Sequence, residues 1–95
     1  MIRIVWTKTA RRDLEHVHDY IAIDSPKSAA QFVERIIAHV GQLSTYPQSG
    51  RIGRVDKTWE LVVTGLPYIV PYRLKGDTVQ ILRVYHTSRL WPETL

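Results

Sequence analysis

The apolar positions of this chain follow two periods. From residue 10 they recur at helical spacing: Ala10, Leu14, Val17 and Ile21 fall on one face, with Arg11, Arg12, Glu15 and Asp19 on the other. Thr7 precedes this stripe as an N-cap, with Lys8 at the first helical position. Asp24-Ser25-Pro26 stops that helix and starts another: the residue before a proline avoids helical geometry, so Ser25 caps and Pro26 takes N1. Ala29, Val33, Ile36, Val40 and Leu43, widened by Phe32 and Ile37, predict a second helix to about Leu43. So short a break makes the two helices an antiparallel hairpin.

Outside residues 8–43 the pattern is that of strands. Ile2 to Trp6 is a short β-branched and aromatic run, and Trp59 to Leu66 is another, broken by Pro67. Tyr68 to Leu74 and Val79 to Tyr85 flank Lys75-Gly76-Asp77, which is hairpin chemistry. Gln48 to Thr58, with two glycines and three cations, reads as a loop. Strict alternation puts Tyr68, Val70, Tyr72 and Leu74 on one face of the sheet and Ile69, Pro71 and Arg73 on the other. Carried along the last strand, it groups Val79, Ile81, Arg83 and Tyr85 against Gln80, Leu82, Val84 and His86. Arg73, Arg83 and His86 are then candidates to line the face away from the helices. Pro71 lacks a ladder donor, so it marks an edge or a bulge. Tyr68 and Tyr72 are expected half-buried with exposed hydroxyls. The fold class is α+β: an order β-α-α-β-β-β with the helical hairpin packed on a small, largely antiparallel sheet.

Composition narrows the class without changing it. Ninety-five residues, 44% hydrophobic and 23% charged, suit one domain spanning residues 1–95. There is no cysteine, which excludes disulfides and thiolate metal sites and fits a cytoplasmic location. No apolar run reaches the roughly 18 residues of a membrane span, so no membrane partner is expected. The net charge of +4 is uneven: residues 47–95 hold seven cations against four anions. A basic strand-and-loop half suits a polyanionic partner, nucleic acid or an acidic protein segment, and is also what a solubilising surface looks like.

Candidate chemistry gathers after the last strand, in Tyr85, His86, Thr87, Ser88, Arg89 and Trp91. His86 has the ring type for general acid or base work. Arg83 and Arg89 suit a phosphate or a pentavalent anion, and Tyr85 and Trp91 suit base stacking. Together they are parts of a metal-free ribonuclease, and equally the polar mouth of an ordinary strand end. His16 and His18 point to different sides of the first helix and His39 lies on the second, so no metal set forms and no cofactor is expected. Arg51, Arg54 and Lys57 in the loop are solvated cations or followers of a phosphate backbone.

The chain resembles the RelE/ParE superfamily, the toxic half of bacterial type II toxin–antitoxin pairs. The resemblance is carried by ARRDLEHVHDYIA, by SAAQFVERI with YPQSGRIGRV, and by ELVVTGLPYIVPYRLKGDTVQILRVYHTSRLWP. It implies the same β-α-α-β-β-β fold, a cognate antitoxin as partner, and one of two activities. ParE-like members poison DNA gyrase; RelE-like members are ribosome-dependent mRNA endonucleases. A third possibility is a non-toxic binding or regulatory domain on the same fold. For the nuclease the resemblance points to His86, Arg89 and Arg83 as catalytic. Yet Ile69 stands where RelE-like nucleases commonly carry an arginine, and the RNA-gripping lysine segment is reduced to Arg51, Arg54 and Lys57. VPYRLKGDTVQILRV is closer to the ParE-like side, so the expectation is gyrase as target. Arg73, Tyr85, Trp91, Arg51 and Arg54 are then the target-binding candidates.

Overall fold

A computed structural model describes residues 2–88. Strand β1 (Arg3–Trp6) leads into α1 (Lys8–Ala22) and α2 (Pro26–Gly41), which continues as a 3-10 turn, Gln42–Ser44. Then follow β2 (Arg51–Ile52), β3 (Trp59–Val62), β4 (Tyr68–Lys75), β5 (Thr78–Ile81) and β6 (Tyr85–His86). The sheet runs β1-β5-β4-β3-β2, with β6 continuing beside β4. All pairings are antiparallel except β1 with β5. Among the described residues no helix is long and apolar enough to cross a membrane.

The helix starts follow the capping chemistry. Thr7 Oγ1 accepts the Ala10 N–H at 3.1 Å, and Ser25 Oγ accepts the Ser28 N–H at 3.2 Å with Pro26 opening α2. Ala10, Val17, Ile36, Val40 and Leu43 then meet Tyr68, Val70, Tyr72, Val79 and Ile81 in one core. Ile37, expected to widen the α2 stripe, is instead an exposed apolar residue.

Two strand expectations are adjusted and one holds. β3 stops at Val62 rather than Leu66, because Gly65 at φ +82° turns the chain and Leu66 N–H bonds back to the Val63 carbonyl. The hairpin turn is the expected one: Lys75 pairs with Thr78 across Gly76-Asp77, and Gly76 takes φ +61°, a region that only glycine occupies freely. The last strand is not continuous. Tyr72 pairs with Ile81, but three residues earlier on β4 Ile69 pairs with Tyr85, four residues beyond Ile81. The last strand therefore carries one extra residue between these pairs, a β-bulge spanning Leu82–Val84. The Pro71 carbonyl accepts the Leu82 N–H on that side, so the missing proline donor falls at the bulge.

One extra residue reverses the pleat. Val79 and Ile81 face the helices, and so does Val84. Beyond it His86 pairs with Tyr68 on the helix side, while Tyr85 pairs with Ile69 on the outer face. The unbroken alternation expected for Arg83, Tyr85 and His86 thus inverts, and of the three residues expected to line the outer face only Arg73 does so.

Tyr72 corrects the expectation of an exposed hydroxyl. It is fully buried, and its hydroxyl donates to the Pro47 carbonyl at 2.9 Å while accepting the Gly50 N–H at 3.0 Å. Gly50 has no room for a side chain: a Cβ there would lie 2.6 Å from the Tyr72 hydroxyl and 2.7 Å from the Glu60 carbonyl. This contact pins the start of the 47–58 loop to the sheet. Tyr72→Phe keeps the packing but strands both loop groups, so it should lower unfolding stability by about 1–3 kcal/mol in urea titrations.

Candidate functional site at the end of the last strand

The bulge is held by α1. Asp13 is 8% exposed on the buried side of the helix. Its carboxylate receives Arg83 Nε at 2.7 Å and Arg83 Nη2 at 3.2 Å, and the Val84 N–H at 3.0 Å. The carboxylate thus takes a two-pronged guanidinium and the amide that the bulge removes from the ladder. The Asp13 hydrogen bonds hold the Arg83 guanidinium above its usual range, against the opposing pull of burial. The same guanidinium lies 4.7 Å over the Tyr85 ring, a cation–π contact.

Below this clamp a cleft of about 390 Å³ opens between α1 and the sheet. Asp13, His16, Val17 and Tyr20 line it from α1, and Tyr68, Val84, His86 and Ser88 from the other side. The α1 spacing is i, i+3, i+4, i+7, one stripe of the helix. The His86 ring meets Tyr68 edge-on at 5.5 Å between centroids. Burial, and to a lesser degree Tyr20, push the Tyr68 phenol up, so it stays a neutral hydroxyl. His86 is exposed, and its Nδ1 accepts the Ser88 backbone N–H at 3.2 Å beside the Ser88 hydroxyl at 2.8 Å. A backbone N–H only donates, so Nδ1 holds the lone pair and the neutral ring carries its proton on Nε2. The open nitrogen is then a donor, whereas a general base needs an open lone pair.

The expected catalytic residues are therefore not assembled as a free set. His86 reaches the cleft, Arg83 is committed to Asp13, and Arg89 lies outside the described residues, as does Trp91. Ile69 is buried beneath the Tyr85 pairing. Of the target-binding candidates, Tyr85 is only 2% exposed although it lies on the outer face, so its ring is not a surface group. Arg73 is exposed on the outer face. Arg51 and Arg54 converge on Glu60, which is only 2% exposed. Arg51 Nε reaches Oε1 at 3.0 Å, and the Arg54 N–H and Nε reach Oε2 at 2.9 and 3.1 Å. Both guanidinium side chains keep about half their surface in solvent. Among the described residues no group of three or more histidines and acids is placed to hold a metal.

Sequence reasoning missed Asp13 and His16. The signal for Asp13 was present: it lies three residues after Ala10 and four before Val17, both on the core stripe. His16 had no signal, because its partner across the cleft is set by the bulge. Glu60 was equally hidden, since its burial depends on the loop folding over it.

Two outcomes are expected here. Asp13→Ala leaves the Arg83 charge and the Val84 N–H without their partner, so unfolding free energy should fall by about 3 kcal/mol or more, whereas Asp13→Asn, which keeps an acceptor, should lose less. Glu60 supplies a pH dependence. Burial pushes its carboxyl up, but the Arg54 N–H and the Arg51 and Arg54 side chains outweigh this and leave it below the ordinary 4.5. A depressed folded-state value means stability present above 4.5 and lost as pH falls through the folded value. The stability gap between wild type and Glu60→Gln in denaturant titrations should be widest at neutral pH and close in that acid window.

The fold is shared with known proteins. Residues 4–91 match the family model described as the ParE toxin of the type II toxin–antitoxin system parDE. The protein Y4kP of Sinorhizobium fredii is 47% identical over 93 residues, covering 98% of this chain and 96% of that one. Toxin RelE2 of Caulobacter vibrioides is 36% identical over 90 residues, covering 95% of this chain and all of the other. A chain of the solved chromosomal ParDE toxin–antitoxin system from P. aeruginosa superposes with a TM-score of 0.84 at 30% identity, covering 93% of this chain and 98% of that chain. With a family model spanning nearly its whole length, two close relatives and one solved fold in agreement, the chain belongs to the ParE toxin family of type II toxin–antitoxin systems.

Proposed function

We propose that this chain arrests growth by binding DNA gyrase and that a cognate antitoxin neutralises it in the cytoplasm. The reading rests on the state of the residues a nuclease would need. Arg83, the described guanidinium nearest His86 in sequence, is spent on Asp13. His86 presents a donor rather than a lone pair. A poison that acts by protein–protein contact needs neither group free. Arg51, Arg54 and Arg73 then offer the target a half-exposed cationic border. The antitoxin lays a helix or an extended segment over the helical hairpin and sheet, as amphipathic or strand-forming segments do on such surfaces.

One observation favours the second reading, a metal-free mRNA endonuclease. His16 and His86 line the same cleft, so an acid and a base could share a substrate there if Ser88 released Nδ1.

Induction without the antitoxin separates the two. The gyrase reading expects a DNA-damage response, filamentation and loss of supercoiling activity, with translation intact at first. Early translational arrest with mRNA cut at ribosomes would overturn it. His86→Ala should retain toxicity under the gyrase reading, and should lose at least ~10²-fold in cleavage rate if the ring is a catalytic acid or base.

A further inference from the structure

The ionic commitments of this chain leave one part of the outer sheet face uncompensated. Pairing places Arg3, Thr78 and Lys75 in one row across β1, β5 and β4, and Val5, Gln80 and Arg73 in the next. These rows lie on the face opposite the core, because their neighbours Ile4, Val79, Tyr72 and Ile81 pack against the helices. Arg3, Arg73 and Lys75 are exposed and make no ion pair with any described residue. Among the described residues the acid of the adjoining turn, Asp77, accepts the Thr78 hydroxyl at 3.2 Å. Next to this corner, Glu60 is already answered by two arginines.

We propose that this corner of the sheet is a docking surface for the phosphodiester backbone of duplex DNA, held by Arg3, Arg73 and Lys75 with Thr78 and Gln80 as hydrogen-bonding partners. Residues two apart on a strand lie ~7 Å from each other, and strands two apart lie ~10 Å from each other. The three cations therefore span a patch that duplex DNA, with a negative charge every ~1.7 Å of axis, meets with several phosphates. Hydroxyl and amide side chains between the cations are the groups that position a backbone without reading its sequence. A protein partner would need an apolar anchor in the middle of its footprint, and Val5 is the one apolar side chain in these rows. Single-stranded nucleic acid would need aromatic platforms, and these two rows contain none. Arg73 is shared with the border proposed for gyrase, but DNA binding by the isolated chain does not depend on gyrase being the target.

The test is fluorescence anisotropy of a short DNA duplex with the purified full chain at rising salt. Three phosphate contacts predict a slope of about −2.7 in log K against log salt. Arg3→Gln/Arg73→Gln/Lys75→Gln should weaken binding at least about tenfold at low salt and flatten most of that slope, while Arg73→Lys keeps the slope. Arg11→Gln/Arg12→Gln/Lys27→Gln removes the same charge from the helical side and should change affinity by about twofold or less. Thermal melts of both triple variants establish that they fold. Equal losses in the two triples, no binding, salt-independent binding, or tighter binding to duplex RNA of the same length would each overturn the assignment. A chain that binds DNA but leaves supercoiling intact would sink the gyrase reading and leave this one standing.

Discussion

The Asp13 carboxylate decides where the end of the sheet goes. It sits among apolar neighbours on α1, so it needs partners, and a lone ionised carboxylate there would cost several kcal/mol. Arg83 and the Val84 amide supply them. Val84 can do so only by leaving the ladder, which inserts one residue into the last strand. A one-residue slip moves every later side chain to the opposite face. His86 is thereby delivered to the cleft beside α1 and Tyr85 to the outer face. The histidine and the arginine that look like one catalytic group in the sequence thus take different jobs: Arg83 ties helix to sheet, and His86 faces a cleft with a capped ring nitrogen.

A second polar lock works on the other side of the sheet. Tyr72 passes through the core from the helix side and ends on the Pro47 carbonyl and Gly50 amide, while Glu60 is roofed by Arg51 and Arg54. The 47–58 segment, expected as a loop but carrying the short strand β2, is thus fastened at two points by groups from neighbouring strands. Its cations, which read as solvated or as trackers of phosphate, spend part of their charge on a buried carboxylate. Neutralisation by a buried partner cannot be read from net charge, because it depends on which strand the loop crosses.

The legible parts of the fold were those governed by local rules. The two caps, the Pro26 start, the apolar stripes and the Gly76 turn each depend on residues within four positions of one another, and apart from the exposed Ile37 all fall where the pattern placed them. Pro71 announced the bulge, yet nothing local gave its direction or its length. The alternation drawn through Val79–His86 was sound up to Ile81 and inverted beyond it, because the competing demand came from Asp13, some 70 residues away in sequence. The parallel β1–β5 pairing was missed for the same reason: strand order is set by the whole core, not by the hairpins within it. The candidate site inherits this. His86 was visible as a residue type, while its neighbours His16, Tyr20 and Tyr68 become neighbours only through the bulge.

Charge in this small domain therefore falls into two populations with different physics. Asp13–Arg83 and Glu60–Arg51–Arg54 join carboxylates removed from water to arginines that span from interior to surface, and removing either carboxylate harms the fold. Arg3, Arg73 and Lys75 have no such partner among the described residues. Their self-repulsion is a small standing cost that a fold under selection only for stability would shed with three substitutions. Where cations persist on one face after every buried carboxylate has been answered, the remaining charge is available to something outside the chain. In this toxin Arg83 is occupied in holding its own sheet, so among the described residues Arg3, Arg73 and Lys75 are the charges left on the outer face for an external contact.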